Sequence, residues 1–163
     1  MVGKIAGFAA IIILAIVFHT FFASLIAIDK VMPDIFIILV VYLTLTQSLT
    51  QGIIFGFASG IIESSADPAL FGLSAFLKVI LAFTVFIFST RLRLESNPAR
   101  LIVVLLSVAF HNFVYYLIAY GINLDLVLNV TIKYVLLEAV YTTAITVILI
   151  YFSERKLTLK FEA

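Results

Sequence analysis

Residues Pro33 to Ala75 read PDIFIILVVYLTLTQSLTQGIIFGFASGIIESSADPALFGLSA, and this stretch decides the fold. It contains two apolar runs separated by the short polar segment TQSLTQ. Glycine recurs at every fourth position of the second run, which ends at the acidic residue Glu63. The pattern predicts an antiparallel hairpin of two short helices, with the other apolar helices of the chain packed around it.

The whole chain is far more apolar than a soluble protein. Of its 163 residues, 64% are hydrophobic and 12% are charged, and the mean hydropathy is +1.28. Soluble domains are about half apolar and about a quarter charged. The composition therefore predicts a single all-α domain over residues 1–163, buried in a lipid bilayer. The net charge of +1 argues against nucleic-acid binding, and the absence of Cys excludes disulfides and thiol catalysis.

The hydropathy pattern predicts six transmembrane helices, at about residues 5–27, 34–48, 51–65, 72–90, 100–120 and 125–151. The first run begins as a signal peptide does, but it is long enough to cross the ~30 Å hydrocarbon core and no cleavage site follows. The β-branched run Ile35–Thr46 is assigned to a helix, because an isolated strand cannot span lipid. The helices at 34–48 and 51–65 are short for a full crossing, so the bilayer thins there or their ends lie in protein-lined recesses.

The distribution of Lys and Arg predicts the orientation of the chain. With six helices both termini lie on one side, and that side holds seven basic residues: Lys4, Arg91, Arg93, Arg100, Arg155, Lys156 and Lys160. The opposite side holds Lys30 alone. Positive charge is retained in the cytoplasm. We therefore expect both termini to be cytoplasmic.

Gly52, Gly56 and Gly60 lie four residues apart and share one helix face. Without Cβ atoms, this face allows another helix to approach closely. Two interpretations follow: tight packing within the chain, or a docking face for the transmembrane helix of another protein.

Three residues mark the ends of predicted helices. Pro33 stops a preceding helix, Asp34 can cap the next one and Gly72 suits a turn.

Ionisable groups within the membrane are candidates for function by default. Five ionisable side chains are predicted at membrane depth: His19, Lys78, His111, Lys133 and Glu138. A sixth, Glu63, is predicted near the outer boundary of the membrane. Because the helices that carry Glu63 and Lys78 are joined by a short loop, we predict that these two residues form a pair. The pair either fixes the helix register or contacts a partner or ligand.

A second polar group is predicted in the middle of the membrane. His111 and Asn112 lie on one helix, and Glu138 lies on the next with Tyr134 and Tyr141 on its face. A contact from His111 or Asn112 to Glu138 is geometrically reasonable. The same residue types occur in proton relays, but one acid and one base do not make a pathway.

The sequence contains no nucleophile with a base, no phosphate-binding loop and no metal-ligand cluster. We therefore expect no catalytic residues, no cofactor, no metal and no enzymatic activity.

Three segments of the opening stretch resemble the MreD family of bacterial rod-shape-determining membrane proteins. Pro33-Asp34 and the apolar run that ends in Val40-Val41 resemble the start of the second MreD helix. Gly56-Phe57 with Gly60-Ile61-Ile62-Glu63 resembles its glycine-rich segment, and Phe71-Gly72-Leu73-Ser74-Ala75 resembles the start of its fourth helix. The resemblance covers roughly residues 33–93.

The resemblance implies a fold similar to the substrate-binding S components of ECF vitamin transporters. It also implies a non-enzymatic scaffold of the cell-elongation complex. Such a scaffold binds MreC and links the MreB cytoskeleton to peptidoglycan synthesis by RodA and a class B penicillin-binding protein. The alternative is an S component itself, which requires an outward-facing pocket with convergent polar groups. A proton-coupled carrier is a third, weaker interpretation, based on Glu138 and the two His residues.

Overall fold

The computed structural model describes residues 10, 13–14, 17, 27, 31–65, 68–91, 97–121 and 123–158, and for residues 91, 97 and 150–158 it describes the backbone. The predicted helix at 5–27 therefore lies largely outside the described residues, as do His19, Lys30 and Arg93. Within the described ranges every regular element is helical, which confirms the all-α class.

The helices follow one another with short connections. They are α1 (Ile35–Thr46), α2 (Leu49–Ser64), α3 (Leu73–Arg91), α4 (Asn97–Ala119), α5 (Leu124–Val130) and α6 (Leu136–Thr158). A single 3₁₀ turn, Pro68–Leu70, precedes α3, and a π-helical segment, Thr131–Val135, joins α5 to α6. The predicted bounds agree with these to within three residues, except that the π segment interrupts the last predicted helix and that α6 extends to Thr158, beyond the predicted end at residue 151.

Helix α1 is the centre of the bundle. Seven of its 12 residues are buried: Phe36, Ile37, Ile38, Val40, Val41, Leu43 and Thr44. A helix that is apolar on all sides belongs in the interior, and α1 is in contact with α2, α3, α4 and α6. The stretch quoted above therefore supplies the core, and Phe55 of α2, Leu81 of α3 and Val108 of α4 close around it.

The turn between α1 and α2 lies two residues earlier in the chain than predicted. The predicted helices leave residues 49–50 as the turn, whereas α1 ends at Thr46 and α2 begins at Leu49. The Ser48 side chain accepts a hydrogen bond from Gln51 N at 3.3 Å. This N-cap satisfies an otherwise unpaired backbone donor and lets the helix start at Leu49, two residues before the predicted start at residue 51.

Among the residues that the structure describes, three helices are long and apolar enough to cross a membrane: Leu73–Thr90, Pro98–Ala119 and Leu124–Leu149. Each exposes large apolar side chains, including Phe76 at 61%, Leu106 at 62% and Val140 at 61%. Such a surface is suited to lipid. Helix α1 is apolar but shorter. The count of six spans and the cytoplasmic position of the termini stay predictions.

Candidate functional site

Lys78 of α3 is the centre of a buried ionic cluster. Its side chain is 0% exposed, and its ammonium group is in contact with the Glu63 carboxylate, as the sequence predicted. It also donates to Ser74 Oγ at 3.0 Å and lies 3.6 Å from Asp34 Oδ2. Because an ammonium group is costly to bury alone, these three neighbours explain how a lysine is accommodated inside an apolar bundle.

Asp34 contributes to this cluster and also starts α1. Its Oδ1 accepts the Ile37 backbone N–H at 2.9 Å, which is the predicted helix cap. Its own backbone N–H donates to Thr142 Oγ1 of α6 at 3.0 Å. Asp34 therefore ties the N-terminal end of the central helix to both α3 and α6.

The glycine face of α2 brings Glu63 and Lys78 together. A Cβ on Gly56 would lie 3.2 Å from the Lys78 carbonyl oxygen, and one on Gly60 would overlap the backbone of Ala75. Because α2 has no side chain at these two positions, its backbone packs directly against the backbone of α3. The carboxylate of Glu63, one turn beyond Gly60, then reaches the ammonium group of Lys78.

The same face continues toward α1, where a Cβ on Gly52 would overlap Thr44. All three glycines are buried. The chain's own helices thus fill this face, in agreement with packing within the chain and not with a docking face for another protein. Gly72 has a φ of +84°, which a residue with a side chain rarely adopts, and it sets the turn before α3.

His111 and Asn112 form the second polar group, on α4. The two side chains are hydrogen bonded to each other, with His111 Nδ1 2.9 Å from Asn112 Oδ1. The predicted contact of His111 or Asn112 with Glu138 of α6 stays a prediction. His111 is 3% exposed and Asn112 is 7% exposed. Even so, His111 Nε2 and Asn112 Nδ2 have no hydrogen-bond partner among the described residues.

A cavity of about 240 Å³ lies between Asp34 and Glu63 of the ionic cluster and Glu138 of α6. Its polar lining consists of three carboxylates and two phenols, from Asp34, Glu63, Glu138, Tyr116 and Tyr134, and the remaining lining is Val31, Met32 and Pro33. The sequence predicted two separate polar groups, whereas the packing of the helices brings Glu63 of the first group and Glu138 of the second to one cavity.

Three members of this site were not anticipated. Asp34 was expected only as a cap, and Ser74 and Tyr116 were not singled out. A signal for Asp34 was available, because the predicted topology already placed it at the same end of the bundle as Glu63 and Lys78. Tyr134, noted only as a neighbour of Glu138, lies in the π-helical segment, whose position the sequence pattern does not reveal.

Three comparisons of this chain, with protein-family models, with curated proteins and with solved structures, find no match.

Proposed function

We propose that this chain is a non-enzymatic membrane scaffold of the bacterial cell-elongation complex, as the resemblance to the MreD family implies. The observation that carries the proposal is the convergence of the three resembling segments in space. Asp34 from the first, Glu63 from the second and Ser74 from the third all contact Lys78, and Gly60 lies against Ala75. If these three segments define the family, their residues are expected to contact one another, because such contacts would specify the shared fold.

In this proposal the protein crosses the bacterial inner membrane six times with both termini in the cytoplasm. MreC is the main partner, and MreB, RodA and a class B penicillin-binding protein are bound directly or through MreC. Because the chain itself fills the glycine face, we assign partner binding to the exposed apolar sides of α3, α4 and α6. These sides carry Phe86, Ile102 and Leu137, among others.

Depletion of the protein tests the proposed role. In the bacterium that encodes this chain, depletion should convert rods into spheres, and the tagged protein should co-purify with an MreC-like partner from membranes. Lys78→Met, which removes the cation from the buried cluster, should fail to restore rod shape. Lys133→Met is the control, because Lys133 is exposed and does not line the cavity. This variant should restore rod shape. Normal rods after a clean deletion would refute the scaffold role.

A solute-binding component of a transporter is the second candidate, and the cavity favours it. The cavity has the convergent polar groups that such a role requires, although about 240 Å³ is below the roughly 300–1,000 Å³ of most sites for drug-sized ligands. Saturable binding of a vitamin to the purified protein, together with normal cell shape after deletion, would support this candidate over the scaffold.

A further inference from the structure

Helix α5 has the side-chain distribution of a helix at a water-facing surface. Its one buried residue is Val127, at 0% exposure. Asp125 and Asn129 are both exposed and lie two residues to either side of Val127. At 3.6 residues per turn, each of them is about 160° away from Val127 around the helix axis. The two polar side chains therefore face away from the bundle, and the apolar side of the helix faces it.

Helix α6 has the opposite distribution. Its buried residues include Thr142 and Thr146, and between Leu136 and Leu149 every exposed residue is apolar. Polar groups inside and apolar groups outside suit a helix surrounded by lipid, because hydrocarbon offers no hydrogen-bond partners to the outward face. The change from one distribution to the other occurs at the π-helical segment Thr131–Val135, which joins the two helices into one rod, the α5–α6 rod.

The length of this rod agrees with a membrane boundary at the π-helical segment. The candidate span Leu124–Leu149 has 26 residues, which at 1.5 Å per residue reach about 39 Å, whereas the hydrocarbon core is about 30 Å thick. The 20 residues from Tyr134 to Ser153, between Lys133 and Glu154, reach about 30 Å. A tilted helix also accommodates the extra length, so the outward polar face of α5 decides where the boundary lies.

The packing places Tyr134 at the level where two other helices end. Tyr134 lines the cavity together with Asp34, which is the N-cap of α1, and Glu63, which is one residue from the end of α2. Helix α5 precedes this level in the chain and packs against α4 and the π-helical segment. The Lys133 ammonium group lies 5.2 Å from the centre of the Tyr134 ring. Tyrosine and lysine are residues that favour the membrane–water interface.

We propose that α5 lies in the headgroup region at one surface of the bilayer, and that the membrane-spanning part of the α5–α6 rod begins at Tyr134. The partner of α5 is the phospholipid surface, where water and headgroups meet Asp125 and Asn129. The three exposed leucines of α5 suit this layer, because apolar side chains there reach the ends of the acyl chains. Lys133 then lies at the boundary and not at membrane depth, where the sequence predicts it. The placement does not depend on the scaffold role.

Depth measurements along the rod test this placement. The chain has no Cys, so one Cys at a time is introduced into the full chain at Leu128, Ile132, Leu136 or Val140, which are all at least 51% exposed. A nitroxide attached to each Cys is measured in liposomes for collisions with oxygen, which concentrates in hydrocarbon, and with a nickel chelate, which stays in water. Lipids that carry a nitroxide in the headgroup or along an acyl chain calibrate the depth.

The labels at Leu128 and Ile132 should match the headgroup standard. The ratio of oxygen to nickel collisions should then rise along α6, so that the label at Val140 matches an acyl-chain standard. Acyl-chain values at both Leu128 and Ile132 would place α5 in the hydrocarbon and refute the proposal. A neighbouring exposed residue, Leu126 on α5 or Leu137 on α6, replaces any position whose label prevents folding.

A matched pair of lysine substitutions gives a second test. Leu128 and Val140 are both apolar and are similarly exposed, at 53% and 61%. Leu128→Lys places a charge in the headgroup region and should leave the midpoint of thermal unfolding in liposomes unchanged. Val140→Lys places the charge among acyl chains, where it is unfavourable, and should lower the midpoint or prevent folding. Similar losses for the two variants would overturn the proposal.

Discussion

Gly60 of α2 lies directly against Ala75 of α3, so closely that a Cβ on Gly60 would overlap the N and Cα atoms of Ala75. This approach fixes the separation of the two helices at the level of the buried ionic cluster. One turn away on each helix, Glu63 and Lys78 are in contact. The close packing at Gly60 and the contact between Glu63 and Lys78 therefore belong to the same interface between α2 and α3.

Gly60→Ala should destabilise the protein. The added methyl group meets backbone atoms, which cannot rotate away, and overpacking of this kind lowers the free energy of unfolding by about 1–3 kcal/mol. The measurement is unfolding in a denaturing detergent followed by circular dichroism. Gly52→Ala is the comparison, because there the methyl group meets mainly the Thr44 side chain, which can adopt another rotamer. A larger loss for Gly52→Ala than for Gly60→Ala would contradict this account.

Lys78→Met should be more destabilising than either glycine substitution. It leaves the carboxylates of Asp34 and Glu63 close together without their cation, and removal of one partner of a buried ion pair typically costs about 3–5 kcal/mol. The same unfolding measurement applies. Adding Glu63→Gln to Lys78→Met should restore part of the stability, because one uncompensated charge is then removed. Additive losses in the double variant would show that the two residues do not interact.

Thr142→Val should lower the free energy of unfolding by about 1–3 kcal/mol. The substitution keeps the shape of the side chain but leaves the buried N–H of Asp34 without its acceptor. Thr146→Val is a closely matched control, since Thr146 is also buried but its Oγ1 donates only to the Thr142 carbonyl of the same helix. The control should be nearly neutral, and equal losses for both variants would argue against the link from α1 to α6.

Labelling of single cysteines should report the orientation. The chain has no Cys, so Gln47→Cys, in the turn between α1 and α2, and Ala69→Cys, in the 3₁₀ turn before α3, each introduce one reactive thiol. A membrane-impermeant maleimide applied to intact spheroplasts should label the Ala69→Cys protein but not the Gln47→Cys protein. After the membranes are opened, both should react. Labelling of both in intact spheroplasts would contradict the predicted crossing of α2.

Local sequence signals predicted the helices well. Apolar composition and the requirement that lipid-exposed backbone be hydrogen bonded internally leave helices as the only choice. The cap at Asp34 and the positive φ at Gly72 follow from residue chemistry that acts over a few positions. Ser48 shows the limit of this reasoning. Its capping potential was present in the sequence, but the hydropathy pattern placed the start of α2 at residue 51 and not at Leu49.

The Glu63–Lys78 contact could be predicted because it joins sequential helices through a short connection. The convergence of Asp34, Glu63, Tyr116 and Glu138 on one cavity could not. Those residues lie on or next to α1, α2, α4 and α6, and the distances between them depend on how each helix is rotated about its axis. Hydrophobic periodicity is a weak guide to that rotation in a bundle whose central helix is apolar on every side.

The sequence by itself determined that the chain is helical and apolar, that α1 and α2 form a hairpin, and that a glycine face and an acid–base pair lie on α2 and α3. Each of these depends on residues that are neighbours along the chain. Only the tertiary structure decided that the glycine face is filled by the chain's own helices, that Asp34 shares Lys78 with Glu63, and that Glu138 lines the same cavity as these two carboxylates. The physical reason is that these contacts depend on close packing between helices remote in sequence, where a missing Cβ or a single hydrogen bond sets which faces meet.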